Sequence, residues 1–527
     1  MAEAAPAAPL DRSLAIRLAT AMFVLVVDTS LMNVSISAVV EDLETTVSGV
    51  QSAIALEALV SAAFILISSK VGDLIGRKRA YVIGLLAYAL GALAMTVAQD
   101  LRAIIVFWAI IGGIGASLLL PAMQSLIHGN FEGKAQKQAY AMVGAAAAIA
   151  AAVGPLLGGF LTTAISWRVG FLLEVVAIAI VLSGIKQVRD VPYTGPRQID
   201  LVGAALSVLG MGGVVLGILA WQEGAESVAA IILVGVLGLG GLVWWLQHRK
   251  AQGRTTLLDP DLFRLPHFRL GASQQLLQQV TLGGAMIALP IFLQITLGYD
   301  AFGAGLAMAP LSLTMFVVAL VAGRRTGGRR PAVLIRAGFG LAAVGVLSLI
   351  PLVPRVESGW ALTLSLAVVG AGLGLLVSQL NNFTLAPIDE ERVSQAAGVN
   401  SAAGSFGLSF GLAVAGGVML AVLAVSFTNL TDENEAIPAD QKDEVSEVME
   451  EDAEVVSDAD LEALLAEEPP AVQDAIIDVN REARDRALQA ALLVPLLACL
   501  IGFVNGFRMV KLPDVEPQAD TAGLDLA

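Results

Sequence analysis

The 527 residues are 56% hydrophobic and 15% charged, with a mean hydropathy of +0.77, a balance that excludes a soluble globular protein and places the chain in a bilayer. A single cysteine, Cys499, excludes a disulfide framework or a cysteine-zinc site, and the scattered His128, His248 and His267 argue against a metal cluster. The formal charge of -15 belongs to one segment, because 20 Asp/Glu stand against 4 Lys/Arg between Ser426 and Gln489.

Apolar runs of about 20 residues are long enough to cross the hydrocarbon, and only a helix satisfies its own backbone there. Fourteen are predicted. Six lie at 16–39, 48–69, 81–98, 101–126, 138–163 and 169–185; two glycine-rich runs follow at 201–221 and 227–247; six more lie at 272–297, 303–322, 331–353, 359–385, 395–425 and 487–507. The first apolar run continues through Val39 with Asp28 inside it, longer than a signal-peptide core, so it is expected to be a retained span. With the N-terminus inside, 24 of the 31 Lys/Arg fall on the cytoplasmic side, and only Arg102, Arg168 and Arg355 lie in short outer loops. That asymmetry predicts N-in and C-in.

An ionisable side chain within a span is costly and by default a functional candidate. Three acids qualify: Asp28 near the middle of the first span, Glu57 in the outer half of the second and Glu174 near the outer end of the sixth. Desolvation penalises the carboxylate, which makes Asp28 the leading candidate for a proton carrier. A cationic substrate competing with the proton for that group would couple export of one to entry of the other, with one charge crossing 100 mV worth about 2.3 kcal/mol. The structural alternatives are an Asp28 bonded to a neighbouring helix, a Glu57 bonded to backbone or Gln51, and a Glu174 paired with Arg168.

Between the second and third spans, Ser69 to Tyr81 forms a short charged turn containing Gly72, Asp73, Gly76, Arg77, Lys78 and Arg79. The glycines allow a tight hairpin. An ion pair here that forms in one conformation and breaks in another would latch a transporter, whereas a purely electrostatic anchor is the simpler alternative. Gly154, Pro155, Gly158 and Gly159 in the fifth span bend that helix and permit close approach of another. In the second half, Gly323 to Arg330 weakly repeats the turn without its acid. The amides Gln274, Gln275, Gln278 and Gln279 form two helical faces that Gln379, Asn381 and Asn382 could meet; Gln275, Gln278, Gln279, Gln379 and Asn382 are the pocket candidates, with interhelical bonding as the alternative.

Within the acidic segment, Val445, Val448 and Met449, then Leu461, Leu464 and Leu465, then Val472, Ile476 and Val479 recur at helical spacing, broken by Pro469 and Pro470. A helical hairpin is predicted over 426–489, its second arm running into the last span. It serves either as a solvated cap or as a site for cations or an envelope partner.

The turn resembles the loop between helices 2 and 3 of the major facilitator superfamily, G-x-x-x-D-x-x-G-R-(K/R)-(K/R), with Ser69 in place of the first glycine. G-P-x-x-G-G in the fifth span is similar to the motif of that superfamily's exporters. Asp28-Thr29 with Asn33, apart from one residue of spacing, and Ser166-Trp167-Arg168 with Phe171 resemble its fourteen-helix drug/proton antiporter branch. The resemblance implies an all-α integral membrane fold of fourteen helices. A six-helix bundle at 1–187, two inserted helices and linkers at 188–269, and a second bundle at 270–527 would hold substrate between them near the midplane, with Asn33 at the pocket. One departure stands out: Ala109 occupies the place of an arginine before Gly113-Ile114-Gly115, so Glu57 is the candidate to work with Asp28 instead.

The expected function is proton-coupled export of amphipathic compounds, cationic ones among them, across the bacterial plasma membrane. It would be driven by the proton gradient without cofactor, metal or nucleic acid. No G-x-x-x-x-G-K-(S/T) loop is present to bind a nucleotide. A dedicated exporter of one lipid or secreted metabolite keeps the same fold, and a non-transporting envelope scaffold using the acidic hairpin gives no reason for Asp28.

Overall fold

The computed structural model describes residues 11–131, 133–190, 198–222, 227–324, 330–388, 390–434, 442, 461–462, 465 and 469–513. Its fourteen membrane-length helices are α1 Arg12–Val34, α2 Val47–Ile75, α3 Arg77–Met95, α4 Leu101–Ile127, α5 Gln138–Ala164, α6 Trp167–Gln187, α7 Leu201–Gln222, α8 Val228–Ala251, α9 Pro266–Thr296, α10 Ala301–Ala322, α11 Pro331–Arg355, α12 Gly359–Leu385, α13 Gln395–Glu433 and α14 Pro470–Val510. Side-chain caps start several of them: Asp11 accepts from Leu14 N at 3.2 Å, Thr46 from Gly49 N at 2.9 Å and Asp100 from Ala103 N at 2.7 Å. An even number of crossings puts the start of α1 and the end of α14 on one face of the molecule, together with the Asp73 turn.

The two halves pack by the same rule. In the first, α1 packs on α5 and α6, α4 on α2 and α3, and α3 on α6; in the second, α9 packs on α13 and α14, α12 on α10 and α11, and α11 on α14. Each pairing is repeated when eight is added to both helix numbers, which is how a repeat only weakly visible in the residues shows itself in space. The halves meet reciprocally, α2 against α13 and α5 against α10. The inserted α7 packs on α8 and spans that seam, touching both α2 and α13. Its Gln222 donates to Ala413 O at 2.6 Å.

α13 and α14 exceed the predicted spans. At 1.5 Å per residue, the 39 residues of α13 extend roughly 60 Å, about twice the hydrocarbon thickness. Both helices therefore project beyond the face opposite the Asp73 turn, where Phe427, Leu461, Val472, Ile476 and Val479 join one apolar cluster. The second arm of the acidic segment is the first part of α14. Val445, Val448, Met449 and Leu464 lie outside the described residues.

Candidate proton and substrate site

Five helices bring five polar side chains together inside the first half. Asp28 on α1 is 1% exposed. Tyr88 on α3 donates its hydroxyl to Asp28 Oδ2 at 2.5 Å, and Trp108 Nε1 on α4 donates to both carboxylate oxygens at 3.0 and 3.1 Å. Glu174 on α6 is buried close to Asp28, and neither of its oxygens has a hydrogen-bond partner among the described residues. Glu57 on α2 lies near enough to Asp28 for their charges to interact. All three acids predicted as proton-coupling residues therefore belong to one cluster.

Glycines make this convergence sterically feasible. A Cβ on Gly170 would lie 2.0 Å from Leu31 Cδ1, so α6 presses onto α1 there, and Glu174, one turn further along α6, reaches Asp28, almost one turn earlier on α1. A Cβ on Gly115 would lie 2.7 Å from Tyr88 N, and one on Gly113 2.9 Å from Glu57 O. The Gly113-Ile114-Gly115 of α4 thus seats that helix against α3 and α2 beside two members of the cluster.

Trp108 and Tyr88 escaped the sequence reading. Residues Ile104–Gly112 form a π-helical stretch, whose wider turn changes which side chains face α1 from those given by α-helical spacing. Trp108, one residue before Ala109, supplies the donor to Asp28, and it packs edge-on against Phe171 with ring centroids 6.4 Å apart. An unpaired tryptophan N–H or tyrosine O–H is disfavoured in a core, so their presence in the spans was the signal available.

Chemically, the cluster is acid-rich, and no cation among the described residues pairs with it. Arg168 does not pair with Glu174 as the structural alternative required; it bonds Asp42 and donates to Ala98 O at 2.6 Å. Gln51 does not bond Glu57, and both its side-chain polar atoms lack partners among the described residues. Adjacent carboxyls without a counter-cation repel when both are ionised. Glu57, at 8% exposed against 1% for Asp28 and 3% for Glu174, is the most accessible of the three.

The glycine-proline motif of α5 connects this site to the other half. A Cβ on Gly154 would lie 2.6 Å from Ser30 Cβ and one on Gly158 2.8 Å from Leu31 Cα, both on α1. One on Gly159 would lie 2.4 Å from Ala301 O, and one on Gly305 2.3 Å from Pro155 O, both across the contact between α5 and α10. The segment of α1 just past Asp28 is thus wedged against the helix that closes the two halves together.

At the turn, Arg77 pairs with Asp73 at 3.0 Å, one helical turn away, and Gly76 takes φ +97°. The contact to a neighbouring helix is made by Asp190 beyond α6, which accepts from Lys78 N at 3.1 Å, while Lys78 Nζ donates to Val188 O at 2.7 Å.

The pocket amides are less uniform. Gln275 and Gln279 flank Gly404 on α13, and Gln278 and Gln379 are buried with an oxygen lacking a partner among the described residues. Gln274 is engaged with Gly502 O on α14 at 2.8 Å. Asn33 donates to Thr29 O at 2.7 Å. Asn382 is exposed, and its neighbour Asn381 accepts from Asn400 at 2.8 Å. Gly407 and Gly411 pack on Leu276 and Val280. Among the described residues, no group of His, Cys, Asp and Glu could hold a metal ion.

Residues 18–412 match the family model described as Major Facilitator Superfamily. The chain is 27% identical over 417 residues to the probable actinorhodin transporter of Streptomyces coelicolor, covering 77% of this chain and 72% of that protein. It is also 27% identical over 409 residues to the multidrug resistance protein Stp of Mycobacterium tuberculosis, covering 77% and 75%. Among solved structures, it shares the fold of a bacterial homolog to the human lysosomal transporter Spinster, with a TM-score of 0.60 and 12% identity over 95% of this chain and 99% of that one.

Proposed function

The chain belongs to the major facilitator superfamily, in its fourteen-helix branch, and is a multi-pass transport protein of the bacterial cell membrane; from that premise we propose that it exports amphipathic compounds in exchange for protons. The observation that carries this reading is the Asp28 and Glu174 pair, buried together without a cation and joined through α1 to the contact between α5 and α10. In this reading the pair holds the proton in transit and Glu57 meets the substrate. A change in the pair's protonation alters the packing of α1 on α5, and with it the preference between the two arrangements that alternating access requires. Asp73 and Arg77 act as a local latch at the end of α2, and the amides at Gln275 and Gln279 line the substrate path.

A panel of lipophilic cations and neutral amphiphiles, added to everted vesicles carrying a proton gradient, tests this. Wild type is expected to release protons on addition of a substrate, and Asp28→Asn to abolish that release while still inserting. Compound export that continues with no proton movement would remove the antiport mechanism. A second reading, export of one secreted metabolite, is favoured by the name of the Streptomyces relative, which specifies a single compound. It predicts proton release with one member of such a panel rather than many.

A further inference from the structure

The apolar part of α8 gives way to His248, Arg249 and Lys250, and the 3-10 turn Pro260–Arg264 folds back beside that end before α9 begins at Pro266. Lys250 bonds both Asp259 and Asp261. Arg264 pairs with Asp261 at 3.1 Å, and Arg392, just before α13, lies 3.8 Å from Asp259. These pairs give the turn a fixed shape.

Two cavities, of about 580 and about 230 Å³, open on either side of Lys250. Their linings carry five cationic side chains, Lys70, Lys250, Arg254, Arg264 and Arg269, against only Asp259 and Asp261. Lys70, Arg254 and Arg269 make no ion pair among the described residues. Lys70 and Arg254 line the smaller cavity; the larger one is lined by Lys250, Arg264 and Arg269 against Asp261, so a positive excess remains there too, with Arg269 outside the internal pairs.

The surroundings distinguish a lipid from a dissolved anion. Of the fourteen described spans, α8 is the least covered by protein. Its Trp244 is 62% exposed and stacks on His248, ring centroids 5.2 Å apart, about one turn from the cavity residue Gln247. Phe263, also exposed, lines the larger cavity. Exposed aromatics followed by cations mark the layer where acyl chains meet headgroups. A free anion has no use for that apolar wall, whereas a phospholipid fits both parts.

We propose that the larger cavity binds the phosphodiester headgroup of an anionic phospholipid, with Arg264 and Arg269 on the phosphate and Phe263 and Trp244 against the glycerol and acyl region. The lipid would thereby tie the linker to the first turn of α9, which belongs to the second half of the transporter.

Native mass spectrometry of the full-length protein, released from micelles containing equal amounts of phosphatidylglycerol and phosphatidylcholine, tests the site. Wild type is expected to retain phosphatidylglycerol preferentially. Arg264→Gln with Arg269→Gln, both at exposed positions, is expected to lower that preference about thirtyfold, since each cation near the headgroup layer contributes about 1 kcal/mol. Lys186→Gln, exposed at the same face but outside the cavity, should leave it unchanged. Equal retention of the two lipids overturns the proposal, as does an equal loss in Lys186→Gln, which would mean general surface charge. Displacement of phosphatidylglycerol by inorganic phosphate would mean a soluble-anion site and would overturn the lipid assignment.

Discussion

The Tyr88 hydroxyl lies 2.5 Å from Asp28 Oδ2, joining two residues 60 positions apart on helices that flank the acid cluster. Trp108 supplies the second donor, so the carboxyl is held by two side chains from two different helices. A hydrogen bond to a charged group contributes about 1.5–3 kcal/mol.

Tyr88→Phe removes one of these bonds without emptying the space the ring fills. The expected result is an inserted protein whose substrate-elicited proton release is slowed roughly tenfold or more, and Trp108→Phe should act in the same direction. Vesicle proton-release assays on both variants, with membrane insertion checked in parallel, measure the effect. Unchanged rates in both would show that the two donors have no part in coupling.

Glu57 should discriminate by charge. As the most accessible acid of the cluster, its change to Gln is expected to raise KM for cationic compounds about tenfold, the equivalent of about 1.4 kcal/mol, while neutral amphiphiles are exported at the wild-type rate. Competition between cationic and neutral substrates in one transport assay gives both numbers together. An equal loss for both classes would move Glu57 from substrate recognition to proton transfer.

Gly159 sets how closely α5 and α10 approach. A Cβ there would lie 2.4 Å from Ala301 O, a backbone atom that no rotamer can move aside. Overpacking of this kind costs about 1–3 kcal/mol. Gly159→Leu is therefore expected to open this end of the molecule and slow transport. The sole native cysteine, Cys499, is buried, so a cysteine placed at the fully buried Ala304 reports the opening by thiol labelling, which should accelerate roughly tenfold.

Gly76 combines φ +97° with a virtual Cβ 2.8 Å from Asp190 Oδ2. An L side chain in left-handed backbone costs about 1–2 kcal/mol, and here it would also disturb the acceptor of Lys78 N. Gly76→Ala is expected to lower thermal stability in detergent, followed by the loss of soluble protein on heating. Asp73→Asn breaks only the local pair to Arg77 and should cost less stability than Gly76→Ala.

Much of the fold was legible because hydrocarbon leaves few options for a chain this apolar. All fourteen spans follow from runs whose backbone must satisfy itself, and the positions of Asp28, Glu57 and Glu174 within them mark a buried acid site by cost alone. Trp108 and Tyr88 were not legible. The first faces Asp28 from a π-helical turn that ordinary helical spacing does not anticipate, and the second depends on how α3 sits against α4 at Gly115. Sequence proximity makes Arg168 an alternative partner for Glu174, but the first turn of α6 directs it toward Asp42.

The amino-acid sequence by itself determined the number of crossings, the three acids that must find shelter and the small residues at which helices can touch, because each of these follows from desolvation or from the size of a side chain. Only the tertiary structure decided which helices touch. The reciprocal contacts of α2 with α13 and α5 with α10, the meeting of Asp28 with Glu174, and the seating of α1 against α5 are relations between segments far apart in the chain. They arise from interlocking surfaces rather than from any local preference, and it is they that place the candidate proton site next to the contact between the two halves.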